Sequence, residues 1–243
     1  MPAPETLRAL TTPEDGALFA SGLTSSKFAP RNATVFTPEV RQKFVMDAAS
    51  GTVQAGGNVS FSIEKNATLI EDLGFYFTPP ALAVGGGATY NRYCDWLAYA
   101  VLQRLEIRYG SNNIQIYGPD ELFVDAQIGT DEERANRALL ALGNLTAAQR
   151  NTYALAPTPV RINVPTPWLD MRDHAVPICA LANKIQFTFY FKTPAYFIQS
   201  DGAKAASITF SDVHLDYQGI HETGRTRGEY TALTQTMQGI TYI

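Results

Sequence analysis

A chain of 243 residues that is 45% hydrophobic and 17% charged is composed like a globular protein of one large domain or two small ones. At this length roughly 70% of the unfolded surface can be buried, so neither a metal nor a disulfide is needed for folding. A net charge of −4 and a sequence pI near 5.4, with no clustering of Lys and Arg, exclude a surface built to neutralise phosphates, and no direct nucleic-acid contact is expected.

The chain opens on MPAPETLRALTTPEDG, which lacks the basic-then-apolar order of a signal peptide. No run reaches the roughly 18 apolar residues of a membrane span. The expectation is a protein made in the cell interior. Residues 1–40 carry prolines and small residues without a sustained period, and read as an irregular N-terminal arm lying on something else.

From there the dominant signal is alternation with period two, the mark of strands with one buried face. FVMDAASGTVQAGGNVSFSIEK reads as a strand pair reversing at Gly56 and Gly57, with Val59, Phe61 and Ile63 on one face. Gly85, Gly86 and Gly87 read as a loop, since no Lys-Ser/Thr follows and no helix-opening glycine fingerprint is present. QRLEIRYGSNNIQIYG reads as a hairpin with Leu105, Ile107 and Tyr109 inward and a Gly-Ser-Asn-Asn turn. Asp120 and Glu121 follow a Gly-Pro turn and mark another helix or turn start.

TDEERANRALLALG is the one clear helical insertion. Thr130 and Glu133 form a capping box, Gly143 ends it, and Leu139, Leu140 and Leu142 are expected to form a short buried stripe. A further turn or two is expected from Thr146 to Tyr153. VRINV and NKIQFTFYFK then return to alternation: Val160, Ile162 and Val164 share one face, and Ile185, Phe187, Phe189 and Phe191 another.

ITFSDVHLDYQGIHETGRTRGEY closes the pattern. Ile208 and Phe210 share a face, after which the apolar parity moves to Val213, Leu215 and Tyr217, which predicts a β-bulge near Ser211 and Asp212. Beyond it Asp212, His214 and Asp216 fall on the outward face. They are weak metal-ligand candidates, and solvated strand positions are the commoner explanation. Gly219 is expected to end the strand. The fold class that follows is all-β: an antiparallel β-sandwich jelly roll with a short helical insertion. Its expected divisions are the arm at 1–40, the jelly roll at 41–219, and a short helix or tail at 220–243.

Three stretches carry a family resemblance. GFYFTPPAL with WLAYAVLQRLEIRYGSNNIQIYGPDEL, PTPWLDMRDHAVPICALANKIQFTFYF and VHLDYQGIHETGRTRGEY occur in the order seen in the double jelly-roll major capsid proteins of the nucleocytoplasmic large DNA viruses. The match runs from about Asn58 to Tyr230 and resembles the first of that family's two rolls. The family's run of adjacent arginines is thinned here to Arg225 and Arg227. The chain therefore reads as the first half of a longer capsid protein or as a relative working as a single roll.

The resemblance implies a structural, non-enzymatic subunit located in the virion. It implies self-assembly into trimeric or pseudo-hexameric capsomers of an icosahedral shell, with neighbouring capsomers and minor capsid proteins as partners and an internal membrane as a candidate layer beneath. Interface residues are then expected on the N-terminal arm, on the helical insertion at Arg134 and Arg137, and on the proline-rich stretch at Trp168, Asp170 and Arg172. Trp168 is the best anchor candidate, and a core position capping the roll is its alternative.

Other classes were weighed. A minor or vertex jelly-roll capsid protein has the same fold. A carbohydrate-binding, lectin-like β-sandwich would use Tyr90, Tyr93 and Trp96 as sugar-stacking aromatics. A cupin-like metalloenzyme would need more histidines converging than the three present. Asp173 and His174 have no serine or cysteine in a nucleophile-elbow context. Cys94 and Cys179 read as core thiols rather than a disulfide, and no cofactor is expected.

Overall fold

The computed structural model describes residues 40–48, 52–83, 88–164, 178–179, 181 and 183–221. The strands are β1 (Val40–Asp47), β2 (Thr52–Gln54), β3 (Asn58–Ser62), β4 (Leu69–Thr78), β5 (Asn91–Tyr93), β6 (Leu102–Tyr109), β7 (Asn112–Tyr117), β8 (Val160–Asn163), β9 (Ile185–Phe191), β10 (Ile198–Ser200) and β11 (Thr209–His221). The helices are α1 (Leu97–Val101), between β5 and β6, and α2 (Pro119–Gln127), α3 (Asp131–Leu140) and α4 (Ala147–Ala154), all between β7 and β8.

Every strand pairing is antiparallel. One sheet has the order β1-β11-β4-β8, with β2 added beside the start of β11; the other runs β3-β9-β6-β7; β5 and β10 form a small third pair. The two large sheets face each other across a core of phenylalanines, the β-sandwich expected from the alternation. Phe75 of β4 stacks on Phe189 of β9 with ring centroids 3.9 Å apart and planes 12° from parallel. Phe61, Phe77, Phe191 and Phe210 surround that pair in edge-on or tilted contacts.

The alternating faces land where the pattern puts them. Val59, Phe61 and Ile63, then Val160, Ile162 and Val164, and then Ile185, Phe187, Phe189 and Phe191 are all buried. The β6–β7 hairpin turns through two residues, Gly110-Ser111, with Gly110 at φ +59°, a left-handed value that glycine takes at no steric cost. The bulge in β11 is present too: pairing with β4 shifts between Ser211 and His214, and Asp212 takes φ +51°.

Four expectations need correction. β2 and β3 are not a hairpin. β2 pairs with β11 and β3 with β9, so Gly56 and Gly57 carry the chain from one sheet to the other. Gly56 stands at φ +87° while the Gly57 N–H donates to Gln54 O, so the same glycine chemistry that makes a hairpin makes an arch. β11 does not end at Gly219 but continues two residues to His221, because Ile220 still pairs with Leu69 of β4 and Arg41 of β1. Leu139 and Leu140 are 67% and 39% exposed; α3 instead turns Ala138 inward, and only Leu142 of the expected stripe is buried. Finally, the five-residue α1 was not anticipated within the apolar run that precedes β6.

The helix starts follow local chemistry. Thr130 caps α3, its Oγ1 accepting from the Glu133 N–H while Glu133 accepts from the Thr130 N–H at 2.8 Å; Thr146 and Gln149 repeat the arrangement at α4. α1 packs on both β6 and β8 and so bridges the two sheets, while α2 packs on β6 and α3 on β8 and α2.

Candidate interaction faces

With the phenylalanines filling the space between the sheets, the polar side chains of the strands collect on the two outer faces. Each face is organised around one buried carboxylate.

On the five-stranded sheet that carboxylate is Asp216, only 4% exposed. Its Oδ2 accepts from Lys43 Nζ of β1 at 2.6 Å, which holds the Lys43 ammonium pKa above its ordinary value. Tyr76 of β4 lies at the centre of this face, stacked on His214 at 4.7 Å with Lys43 and Arg161 over its ring at 5.6 and 5.5 Å. Burial first, and then the neighbouring Asp216 charge, raise the Tyr76 phenol pKa. Arg161 of β8 reaches Asp72 at 3.2 Å and also donates to Asn163. One polar network thus ties together four neighbouring strands.

The structure does not converge the three residues that suggested a metal. The bulge turns Asp212 away with 65% of its side chain exposed, and His214 Nδ1 lies 3.1 Å from the Asp212 carbonyl oxygen and 3.4 Å from its carboxylate. Asp216 is occupied by Lys43. Among the described residues no group of three His, Cys, Asp or Glu side chains converges in a way that could hold a metal ion. The expectation of solvated positions also needs correction for Asp216, which is buried beneath its neighbours.

On the four-stranded sheet the buried carboxylate is Glu106, 4% exposed, in a cross-strand row with Ile116 of β7, Thr188 of β9 and Ser60 of β3. Arg104 Nε donates to its Oε1 at 2.8 Å, Arg108 Nη2 donates to its Oε2 at 2.7 Å, and the Tyr190 hydroxyl donates to Oε2 at 3.2 Å. The Arg104 guanidinium also lies 4.1 Å over the Tyr190 ring. Burial alone would raise the Glu106 pKa, but the hydrogen bonds from Tyr190, Arg104 and Arg108 and the arginine charges hold it below the ordinary value of 4.5. A carboxyl with a lowered folded-state pKa stabilises the fold above its unfolded-state value, and that stability is lost as pH falls through the folded value. The melting temperature is therefore expected to fall as the pH is lowered from about 4.5, and Glu106→Gln should flatten part of that slope in a thermal melt series.

The helical layer is the third surface. Arg134 is exposed and pairs with Asp131 of its own helix. Arg137 points inward instead: its Nη1 donates to the Asp125 and Ile128 carbonyls at 3.0 and 2.6 Å, satisfying the end of α2. It positions α2 and α3, and of the two expected interface arginines only Arg134 faces out. Sequence reading missed the apolar residues that this layer exposes: Val124 at 58%, Ile128 at 63%, Leu139 at 67% and Leu140 at 39%.

The remaining candidates divide. Trp168, Asp170 and Arg172, with Asp173 and His174, lie outside the described residues, as do residues 1–39, 84–87 and 222–243. The sugar-stacking aromatics form no open platform: Tyr93 is buried with its hydroxyl donating to Pro80 O at 2.6 Å, Trp96 packs edge-on against Phe123 at 5.1 Å, and Tyr90 is covered by Arg92. Burial pushes the Cys94 thiol up to about 11, so it is protonated at neutral pH and a poor nucleophile.

Comparison with known proteins places this architecture. Residues 27–235 match the family described as the major capsid protein N-terminus. No curated protein matches the sequence. Among solved structures, VP54 of PBCV-1, fitted into a cryo-EM reconstruction of the virophage Sputnik, aligns over 81% of this chain and 45% of its own, at 19% identity and a TM-score of 0.55. The PBCV-1 capsid model aligns over 81% and 45% at 17% identity and 0.54, and the Faustovirus major capsid protein over 80% and 56% at 10% identity and 0.55. The chain spans about half the length of the structures it matches.

Proposed function

The chain belongs to the family of the major capsid protein N-terminus, and from that membership we propose that it is a structural subunit of a viral shell, acting by self-assembly rather than catalysis. The observation that carries this reading is the family match over residues 27–235 on a sandwich of two antiparallel sheets. A closed sandwich with an aromatic core is a rigid block, and a shell needs subunits that keep their shape under load from all sides. The apolar side chains on α2 and α3 supply the surface that such a subunit buries on meeting its neighbours.

In this reading the chain occupies the first of two rolls in a subunit, or works as a single roll, and assembles into trimeric or pseudo-hexameric capsomers within the virion. Its partners are copies of itself, neighbouring capsomers and minor capsid proteins, over an internal membrane where one is present. Native mass spectrometry over a concentration series tests the reading. Trimers, hexamers or larger closed species are the expected result, and a chain that remains monomeric at the highest concentration overturns it.

A further inference from the structure

Charge is distributed unevenly over the molecule. From Pro119 to Leu140 there are six carboxylates against two guanidiniums, an excess equal to the whole chain's net charge of −4. Glu121 and Glu133 are taken up by helix starts and Asp131 by Arg134, while Asp120 and Glu132 are exposed. The same layer holds half of the large apolar side chains in solvent: Val124, Ile128, Leu139 and Leu140 are four of the eight such residues among those described. A shallow groove of about 460 Å³ beside β7 is lined by Tyr117, Val124 and Ile128 together with Asp120, Glu121 and Asp125.

The outer face of the four-stranded sheet has the opposite character. Arg104 and Arg108 share the single carboxylate of Glu106, which leaves one positive charge in excess. Their side chains are 42% and 40% exposed yet fixed in direction by that shared partner. Ile116, directly across from Glu106, adds an apolar side chain that is 52% exposed. The groove beside α2 is shared with Tyr117, which pairs with buried Leu105, whereas the arginines flank Glu106, which pairs with Ile116, so the two surfaces lie on opposite sides of the β6–β7 pair.

We propose that the acidic helical layer of one copy docks on the arginine face of the next, with the α2 carboxylates meeting Arg104 and Arg108, and Val124 and Ile128 covering Ile116. Each surface offers apolar area beside charge, and the charges are of opposite sign, which sets orientation and rejects a helix-to-helix contact of like charges. Because two different surfaces meet, the contact is head-to-tail, and repeated with a rotation that divides a full turn it closes a ring. The proposal rests on the capsid-subunit reading and adds which surfaces meet.

The test is association of the full chain measured by sedimentation equilibrium at two ionic strengths. Three variants are compared with wild type: Asp120→Asn with Asp125→Asn and Glu132→Gln; Val124→Ser with Ile128→Ser; and Arg104→Gln with Arg108→Gln. If the arginine variant does not fold, Ile116→Ser replaces it. Each should weaken association by about tenfold or more, and the charge variants should remove most of the salt dependence. Combining the carboxylate and arginine variants should weaken association no further than the worse of the two, the mark of direct partners. If wild type assembles and the variants assemble equally well, the pairing is overturned while the capsid reading stands. Variants that leave association unchanged but lower the melting temperature also overturn it, since the layer is then covered by the chain's own residues. A wild-type chain that never associates removes the capsid reading itself.

Discussion

Phe75→Ala should lower the unfolding free energy by about 3–5 kcal/mol, the range for truncating a fully buried phenylalanine. Phe75 is wholly inaccessible, lies on a central strand of the five-stranded sheet, and meets Phe189 face to face at 3.9 Å, so its ring bridges the two sheets. Its other neighbours, Phe61, Phe77 and Phe191, are themselves held in strands and cannot collapse into the space left behind. Leu139→Ala, by contrast, should change stability by no more than about 0.5 kcal/mol in the isolated chain, because that side chain is 67% exposed. Urea denaturation with an unchanged slope would give both values from midpoints alone. A Leu139 effect matching that of Phe75 would mean that α3 buries the stripe its sequence suggests.

Gly74→Ala should cost about 1–3 kcal/mol, although a methyl group normally favours a strand. Gly74 lies between Asp216 of β11 and Asn163 of β8 in the cross-strand register. A Cβ there would stand 2.6 Å from Arg161 Nε and 2.7 Å from its Nη2, and closer still to Asp216 Oδ1. Arg161 can swing aside, but Asp216 is a short, buried side chain fixed by Lys43 and cannot retreat without giving up its ion pair. Combining Gly74→Ala with Asp216→Ala separates the causes: if the clash with the carboxylate is the source, the double variant should lose clearly less than the sum of the two singles.

Much of the sandwich was legible because period two is a direct consequence of strand geometry. Phe187, Phe189 and Phe191 could share a face in no other regular structure, and the change of parity between Phe210 and Val213 located the bulge before any pairing was known. Pairing itself was not legible. The Gly56-Gly57 step has the chemistry of a reversal, and only the partners β11 and β9, more than a hundred residues away, make it a crossing between sheets. Thr130 and Glu133 fixed where α3 begins, yet a cap says nothing of which side the helix buries; the Ala138 side faces in and Leu139 faces out. Arg137 looked like a surface charge because the carbonyls it satisfies, at Asp125 and Ile128, belong to a neighbouring helix end. Asp216 read as solvated for a similar reason: it is buried under cross-strand neighbours that a single strand does not reveal.

Electron cryomicroscopy of the chain at high concentration tests the central claim most directly. Closed species are expected, in which copies of the two-sheet sandwich repeat around a rotation axis with the helical layer of each at a subunit boundary. Dispersed single copies at every concentration, or contacts in no regular arrangement, would contradict it.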